Sequence, residues 1–316
     1  MNKVKVAVIG VGHMGTNHAR VYSEIKNAEL VGVYDINKDV CRKIAQLHGV
    51  RGFGSLEEAM EAADAVSVVT PTTHHFEVGS KCLEAGKHVL IEKPFTSDTK
   101  QAMRLVEIAE KNEVILQVGH VERFNPVLTA LEERLTHPMF IESHRLSPYP
   151  GRSTDIGVVM DMMIHDIEII LHLVKSPIQS IDAVGISVLS KGEDIANARL
   201  RFKSGCVANI TTSRISQDKM RKIRVFQDNA YLSLDYQKQS GEIYRKNGAQ
   251  IKRESIPVLK DEPLKKQLES FLDCVQTKSE PVVSGAHASA ALKVAAKIVE
   301  EISKIPLPQQ HAIHAH

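Results

Sequence analysis

A glycine-rich segment near the start of the chain has the spacing that binds the pyrophosphate of a dinucleotide. It reads Gly10-Val11-Gly12-His13-Met14-Gly15 and follows residues 4–9, an almost continuous apolar run that is typical of a strand buried on both faces. Gly10 permits a tight turn, Gly12 lets the backbone approach the phosphates, and Gly15 allows the next helix to pack closely on the strand. The phosphates would lie at the N-terminus of that helix, where free amides and the helix dipole favour negative charge.

An acidic residue at the end of the second strand indicates which dinucleotide binds. Asp35 follows the apolar run 30–34, twenty residues after Gly15. A carboxylate there accepts hydrogen bonds from a ribose 2′-hydroxyl and repels a 2′-phosphate. Ile36 and Asn37 come next, so no arginine is adjacent to bind that phosphate. We therefore predict NAD rather than NADP, against the alternative that the glycines form an ordinary tight turn.

A lysine at the end of a later strand is the first candidate for catalysis. Residues 88–91 are typical of a buried strand, and Glu92-Lys93-Pro94 follow at its carboxyl end. Ligands of doubly wound sheets bind outside the carboxyl ends of the strands. We therefore expect the cofactor to contact this edge of the sheet as well as the glycine loop. The predicted cofactor-binding residues are Gly10, Gly12, His13, Met14, Gly15, Asp35, Thr70, Pro71, Thr72, His74, Glu92, Lys93 and His120.

A second group of candidates lies in the predicted helix 161–174. Asp161 and His165 are four residues apart and would share one face of this helix. A histidine within reach of a carboxylate can act as a general acid or base near neutral pH. The alternatives are that both are polar residues of the helix surface, or that His165 is a hydrogen-bonded core histidine. No histidine spacing favours a metal site.

The order of predicted elements divides the chain in two. Strands and helices alternate over residues 1–120, which predicts an α/β Rossmann domain with a doubly wound parallel sheet. Residues 121–316 are predicted to form an α+β domain, because short alternating segments between 178 and 258 indicate a largely antiparallel sheet. Two helices, about 264–277 and 287–302, end the chain, and the last is expected to pack back on the first domain.

The composition excludes several classes of protein. The 316 residues carry a formal net charge of only +2, which gives no electrostatic reason to bind nucleic acid or a membrane surface. The apolar runs have the length of strands, so we expect neither a signal peptide nor a transmembrane helix. The four cysteines lack metal or redox spacing and suit a reducing cytoplasm. The histidine-rich end, 311–316, is interpreted as a frayed terminus.

The motifs together resemble those of the Gfo/Idh/MocA family, the glucose–fructose oxidoreductase and inositol dehydrogenase-like enzymes. The resemblance covers nearly the whole chain and is carried by residues 10–15, 35, 70–74, 92–94, 119–126, 161 and 165. It implies an NAD-dependent oxidoreductase with Lys93, Asp161 and His165 as catalytic residues. It also implies a substrate-binding C-terminal domain whose open sheet face forms a homodimer or homotetramer. Many relatives carry aspartate where this chain has Glu168, so the role of that residue stays open.

The implied reaction is the oxidation of a sugar hydroxyl, with NAD as the hydride acceptor. His165 could take the hydroxyl proton while Asp161 stabilises the imidazolium, and Lys93 would stabilise the negative charge that develops on the oxygen. A lysine beside the positive nicotinamide and partly desolvated could instead accept the proton itself. The sequence is compatible with either His165 or Lys93 as the base.

The segment 147–155 and a nearby arginine suggest an anionic substrate. Arg123 and Arg152 could pair with phosphate oxygens, and Tyr149 could stack on a sugar or base. The predicted substrate-binding residues are Lys93, Arg123, Tyr149, Arg152, Asp161 and His165. The alternative is a loop between domains with solvated arginines. Residues 122–126 and 147–155 resemble the branch that oxidises nucleotide sugars such as UDP-N-acetylglucosamine to the 3-keto sugar.

Three other functions fit parts of the pattern. A dehydrogenase of inositol or a free sugar would use the same trio without the arginines. A non-catalytic NAD-binding sensor could use the same fold, since fold does not settle function. A two-substrate oxidoreductase could retain its cofactor throughout turnover.

Overall fold

The first part of the chain forms a six-stranded parallel sheet with helices on its faces, as predicted. The computed structural model describes residues 3–149 and 156–304. The strands lie in the order β3-β2-β1-β4-β5-β6. They are β1 (Val4–Ile9), β2 (Ala28–Tyr34), β3 (Arg51–Gly52), β4 (Ala65–Val68), β5 (His88–Glu92) and β6 (Leu116–Gly119). The helices between them are α1 (His13–Glu24), α2 (Lys38–His48), α3 (Leu56–Ala62), α4 (His75–Glu84) and α5 (Thr99–Lys111).

The central strands of this sheet are apolar because helices cover both of their faces. Val6, Val8 and Ile9 of β1 and Leu90 and Ile91 of β5 are fully buried. Burying an aliphatic side chain of this size contributes about 1.5–3 kcal/mol, so these strands fix the sheet. The polar residues that follow each strand consequently meet at one edge of the sheet.

The second part of the chain forms an eight-stranded sheet in the order β14-β13-β12-β11-β7-β10-β9-β8, in which only β7 and β10 pair in parallel. Its strands are β7 (Phe140–Leu146), β8 (Ile178–Ile186), β9 (Ile195–Phe202), β10 (Val207–Ser213), β11 (Met220–Gln227), β12 (Ala230–Asp235), β13 (Ser240–Asn247) and β14 (Gln250–Ile256). The other helices are α6 (Pro126–Glu132), α7 (Ile164–Val174), α8 (Pro263–Thr277) and α9 (Gly285–Ser303).

One face of this sheet is covered by helices and the other is not. On β9, Ala196, Ala198, Leu200 and Phe202 are buried, whereas the alternating residues Asn197 and Arg201 are exposed, which is the alternation expected of a sheet with one solvated face. Helix α7 packs against β10 and α9 packs against β8. The opposite face carries a row of aromatic rings from four neighbouring strands, with centroids 4.3–5.6 Å apart. They are Phe140, Phe226, Tyr231 and Tyr244.

The last two helices pack back on the parallel sheet and its helices, and α9 also contacts the eight-stranded sheet. Helix α8 packs on α1 and β1, and α9 contacts α5 and β6 on one side and α7 and β8 on the other. The four cysteines are buried and unbridged. Among the residues described, no helix is long and apolar enough to cross a membrane.

Candidate active site

A cavity of about 670 Å³ opens beside the glycine loop at the carboxyl ends of β1, β2 and β4. This volume lies within the range of small-molecule and cofactor sites. Five of the predicted cofactor-binding residues line it, namely Gly10, Gly12, Asp35, Thr70 and Pro71. Gly54, Ser55 and Leu56, which follow β3, also line it, and the sequence pattern did not single them out. Of the other predicted residues, His13 and Met14 are exposed at the start of α1, and Thr72 and His74 form a 3₁₀ turn after β4.

The three glycines of the loop have different steric surroundings. Gly10 has φ +86°, which disfavours other residues, and a Cβ there would lie 2.8 Å from the carbonyl oxygen of Val69. A Cβ on Gly15 would overlap the carbonyl oxygen of Gly10. No atom among the described residues lies within 4 Å of a Cβ on Gly12. Gly10 and Gly15 are therefore required by the fold, whereas Gly12 leaves open space where the pyrophosphate would approach.

Asp35 is held beside the glycine loop. Its carboxylate accepts hydrogen bonds from the Val11 amide and the Asn37 amide, both at 2.8 Å. These two bonds fix a negative charge at the end of β2, facing the cavity. The open space over Gly12, the cavity and this fixed carboxylate fit a dinucleotide whose ribose carries a free 2′-hydroxyl.

Lys93 and Asp161 bring the two parts of the chain together. Lys93 follows β5, and Asp161 lies in a helical turn that precedes α7. The Lys93 ammonium donates to the Asp161 carboxylate oxygen Oδ1 at 2.7 Å and to the Asp161 carbonyl oxygen at 2.7 Å. The side chains are 22% and 29% exposed, so the ion pair remains accessible to a ligand.

The expected pairing of Asp161 with His165 is corrected by the structure. Residues Val159–Met163 form a π-helical turn, and α7 begins at Ile164. The wider turn changes the angular relation that a regular α-helix gives to residues four apart. The Asp161 carboxylate pairs with Lys93, and the buried Nδ1 of His165 has no hydrogen-bond partner among the described residues.

His165 is nevertheless close to the lysine and is electrostatically biased towards its neutral form. Only 8% of the residue is exposed, and its ring meets the ring of His120 edge-on, with centroids 5.6 Å apart. Burial, followed by the positive charges of Lys93 and Arg145, lowers the pKa of His165 well below its ordinary value. An uncharged imidazole beside the lysine can accept a proton from a substrate hydroxyl.

His120 lies deeper than predicted. It is fully buried, and neither ring nitrogen has a partner among the described residues. Burial lowers the pKa of His120 to about 4, so the ring is neutral at physiological pH. With 1% exposure, the side chain offers no surface to a cofactor. Its contact is with His165 instead.

Glu92 lies under Lys93 and is linked to the cofactor helix. Its carboxylate accepts from His18 Nε2 on α1 and from the Lys93 amide, both at 3.2 Å. Burial raises the pKa of Glu92, but the hydrogen bond and the charge of His18 outweigh it and leave this pKa below its ordinary value. A Cβ on Gly119 would overlap this carboxylate. Glu92 therefore joins the backbone of Lys93 to helix α1, and His18 is a residue that the motifs did not indicate.

His75 is a second residue that the sequence analysis missed. It is buried at the start of α4, and its two ring nitrogens lie 2.9 Å and 2.8 Å from the carbonyl oxygens of Pro94 and Thr70. The ring thereby joins the segment after β4 to the segment after β5. The sequence carried one signal for it, a second histidine next to the predicted His74.

The structure does not bring Arg123 to the other candidates. Arg123 is buried, its Nη1 lies 2.9 Å from Glu132 Oε1, and its Nε lies 3.3 Å from Glu168 Oε1. These two acidic side chains occupy the guanidinium that was expected to bind a phosphate. Burial raises the pKa of Glu168 to about 8, so this carboxyl is largely protonated at neutral pH. Arg152 lies outside the described residues, and Tyr149, 37% exposed, is the last one before that gap.

Comparison with family models identifies two matching regions. Residues 4–120 match the model of the GFO_IDH_MocA oxidoreductase family, an NAD-binding Rossmann fold. Residues 133–233 match the model of a GFO/IDH/MocA C-terminal domain. The two regions correspond to the parallel sheet and to much of the eight-stranded sheet.

Known dehydrogenases are similar to this chain over most of its length. A UDP-N-acetylglucosamine 3-dehydrogenase of Acidithiobacillus ferrooxidans is 34% identical over 87% of this chain and 90% of its own length. A solved structure of that enzyme superposes with a TM-score of 0.92, covering 96% of this chain and 99% of the other. A myo-inositol 2-dehydrogenase of Thermotoga maritima is 28% identical over 97% of this chain and 99% of its own length.

Proposed function

The chain belongs to the Gfo/Idh/MocA family of NAD-dependent oxidoreductases, and we propose that its substrate is a nucleotide sugar such as UDP-N-acetylglucosamine, which it oxidises to the 3-keto sugar. The main support for this reaction is that Lys93, Asp161 and a neutral His165 lie close together near the carboxyl end of β5. We assign the catalytic roles to these three residues.

The arrangement divides the catalytic work between two side chains. His165 takes the proton of the reacting hydroxyl, because its surroundings keep the imidazole uncharged. Lys93 donates a hydrogen bond to the same oxygen and stabilises the negative charge that develops on it. Asp161 orients the ammonium through two hydrogen bonds. When bound, NAD supplies the acceptor for the hydride that leaves the carbon.

The cofactor site is assigned to the residues around the glycine loop. Gly12 gives the pyrophosphate access to the N-terminus of α1, and Asp35 receives the ribose hydroxyls. Thr70 and Pro71 line the same cavity. Neither Glu92 nor His120 is assigned a direct contact with the cofactor, because both side chains are buried.

The nucleotide-sugar substrate is supported by similarity, since Arg123 is occupied by two acidic side chains and Arg152 lies outside the described residues. The relative that oxidises UDP-N-acetylglucosamine is 34% identical to this chain, and the inositol-oxidising relative is 28% identical. Because the inositol-oxidising relative is also similar, inositol oxidation is the alternative reaction. A non-catalytic NAD sensor is disfavoured, because binding alone does not require a lysine–aspartate pair beside a neutral histidine.

The test is turnover of NAD with a panel of substrates offered side by side. Purified protein is given UDP-N-acetylglucosamine, its uronic acid, UDP-glucose, myo-inositol and glucose, and NADH absorbance is followed. We expect turnover with the nucleotide sugars and little with the free polyols. Turnover with myo-inositol alone would move the assignment to the inositol branch. NAD binding without turnover across the panel would favour a sensor or a retained cofactor.

Assembly is a further expectation. We propose a homodimer or homotetramer formed through the uncovered face of the eight-stranded sheet, where the row of aromatic rings lies. Light scattering coupled to size exclusion tests it: Tyr231→Glu and Tyr244→Glu together should shift the mass to that of one chain. A cytoplasmic location remains a prediction from composition.

A further inference from the structure

Arg145 is a buried arginine that contacts two different segments of the active site. It lies on β7 and is 3% exposed. Its Nε donates to Asp166 Oδ2 at 2.6 Å, its Nη2 donates to Asp166 Oδ1 at 3.3 Å, and its Nη1 donates to Glu122 Oε1 at 3.0 Å. The guanidinium also lies over the ring of Tyr236, with Cζ 5.9 Å from the centroid.

The two carboxylates adjoin the two histidines of the site. Asp166 follows His165 at the start of α7, and Glu122 comes two residues after His120 at the end of β6. The imidazoles themselves meet edge-on at 5.6 Å, and neither buried Nδ1 has a hydrogen-bond partner among the described residues. Their relative orientation therefore depends on the backbone segments that carry them.

We propose that Arg145 is a positioning residue that joins the segment of His120 to the segment of His165 and so fixes the orientation of the catalytic imidazole. This inference rests on the proposed role of His165. Within the described part of the chain no carboxylate is hydrogen-bonded to His165, and Asp161 is paired with Lys93. The hydrogen bonds of Arg145 to Asp166 and Glu122 instead constrain the backbone segments that carry the two imidazoles.

The chemistry of the guanidinium explains why an arginine is present. Its planar fork presents donors in several directions, so that one side chain can hold two carboxylates in fixed geometry. A lysine ammonium is a compact point charge and cannot reproduce this arrangement. Ser143 Oγ donates to Asp166 Oδ1 at 2.7 Å, and Arg221 Nη1 lies 3.0 Å from Glu122 Oε1, so both carboxylates have further partners.

Stability alone gives a weak reason for this cluster. Buried ion pairs are often no more stabilising than apolar residues of the same size, since the charges must leave water. We therefore attribute this cluster to the positions that it fixes. These are the positions of the segments that carry the His120 and His165 imidazoles.

The test is Arg145→Lys, with Arg104→Lys as the matched control in an exposed pair with Glu107 on α5. We expect Arg145→Lys to lower kcat at least 10-fold while the Kd for NAD and the KM for the sugar change less than 3-fold. Arg104→Lys should leave all three unchanged. An Arg145→Lys enzyme with wild-type kcat, whatever its melting temperature, would refute the positioning role. A raised Kd or KM with unchanged kcat would also refute it, since that pattern indicates a role in binding.

A second variant covers the case in which Arg145→Lys does not fold. Glu122→Gln keeps an oxygen that can accept from Arg145 but loses the charge, and it should lower kcat 3- to 10-fold with unchanged affinity for NAD. Unchanged kcat in this variant would again overturn the proposal. Turnover by the wild-type enzyme separates a failure of this proposal from a failure of the proposed function. If the wild type turns over no sugar, ring geometry is measured instead by NMR of the histidine side chains, where both substitutions should shift the His165 signals and Arg104→Lys should not.

Discussion

Lys93 donates hydrogen bonds to both the side chain and the main chain of Asp161, at 2.7 Å each. Lys93 directly follows strand β5 of the parallel sheet, and Asp161 lies in the turn that leads into α7. The ion pair therefore spans the two parts of the chain at the place where substrate and cofactor must meet. The carboxylate Oδ1 and the carbonyl oxygen of Asp161 hold the ammonium in place, and the proposed mechanism assigns the proton transfer to His165.

Replacing Lys93 should separate binding from chemistry. We expect Lys93→Ala to lower kcat by roughly 10²–10³, the usual cost of losing one donor to a developing oxyanion, while the Kd for NAD changes little. Steady-state kinetics and calorimetric titration with NAD measure the two quantities. Lys87→Ala, at the other end of the same strand, is the control. Turnover of Lys93→Ala at the wild-type rate would remove Lys93 from the mechanism.

The acid side of the pH profile should report the depressed pKa of His165. The base must be unprotonated to act, and burial and nearby cations hold its pKa well below 6.5. Activity should therefore persist as the pH falls through 6.5 and decline only at lower pH. The charged or titratable groups that face or adjoin the ring are Lys93, His120, Asp161, Arg145, Asp166 and Arg221.

The pH profile is measured as kcat/KM, because its pH dependence reports the pKa values of groups in the free enzyme. His165→Phe should abolish turnover across the whole range. Half-maximal activity at pH 6.5 or above would contradict the assignment of the neutral base.

Two neighbouring glycines should respond differently to the same substitution. Gly12 has φ −66°, and no described atom lies within 4 Å of a Cβ there, so Gly12→Ala should fold with an unchanged melting temperature. The added methyl group would enter the space needed by the pyrophosphate, and the Kd for NAD should rise at least about 10-fold. Gly15→Ala should lower the free energy of unfolding by about 1–3 kcal/mol, because the added methyl group would overlap the Gly10 carbonyl oxygen. Equal effects of the two substitutions on folding would contradict this distinction.

Asp35 should determine the preference between the two nicotinamide dinucleotides. Its carboxylate repels a 2′-phosphate, so the wild type should favour NAD, and Asp35→Ser should shift the NAD/NADP ratio of kcat/KM towards NADP by roughly 10- to 100-fold. Asp39→Ser removes a carboxylate that is 89% exposed on α2 and serves as the control. A ratio that is the same in wild type and Asp35→Ser would refute the role of this residue.

The fold and the cofactor were predictable from the sequence because local patterns determine both. Buried strands give continuous apolar runs, and the requirements at Gly10, Gly12 and Gly15 arise within a single strand–turn–helix unit. The antiparallel second sheet was predicted from its short alternating segments. The division of function between residues 1–120 and 121–316 stays a prediction, since α8 and α9 contact elements of both.

The side-chain partners were less predictable, because they are set by tertiary contacts. Arg123 looked free in the sequence but is buried between Glu132 and Glu168, which come from two different helices. The partner of Asp161 is 68 residues away, and no periodicity encodes the π-helical turn that directs it there. Sequence spacing assumed a regular helix, and the irregular turn is the point at which that assumption failed.

The π-helical turn at Val159–Met163 also offers a view of how such a site diverges. A turn of this kind amounts to one residue added inside a helix whose ends stay in place. Since each α-helical residue advances the chain by roughly 100° around the axis, one added residue changes the direction of a side chain within the turn while the helix that follows keeps its position. A site of this type can therefore exchange one partner of a carboxylate for another through a single inserted residue, as the pairing of Asp161 with Lys93 instead of His165 illustrates.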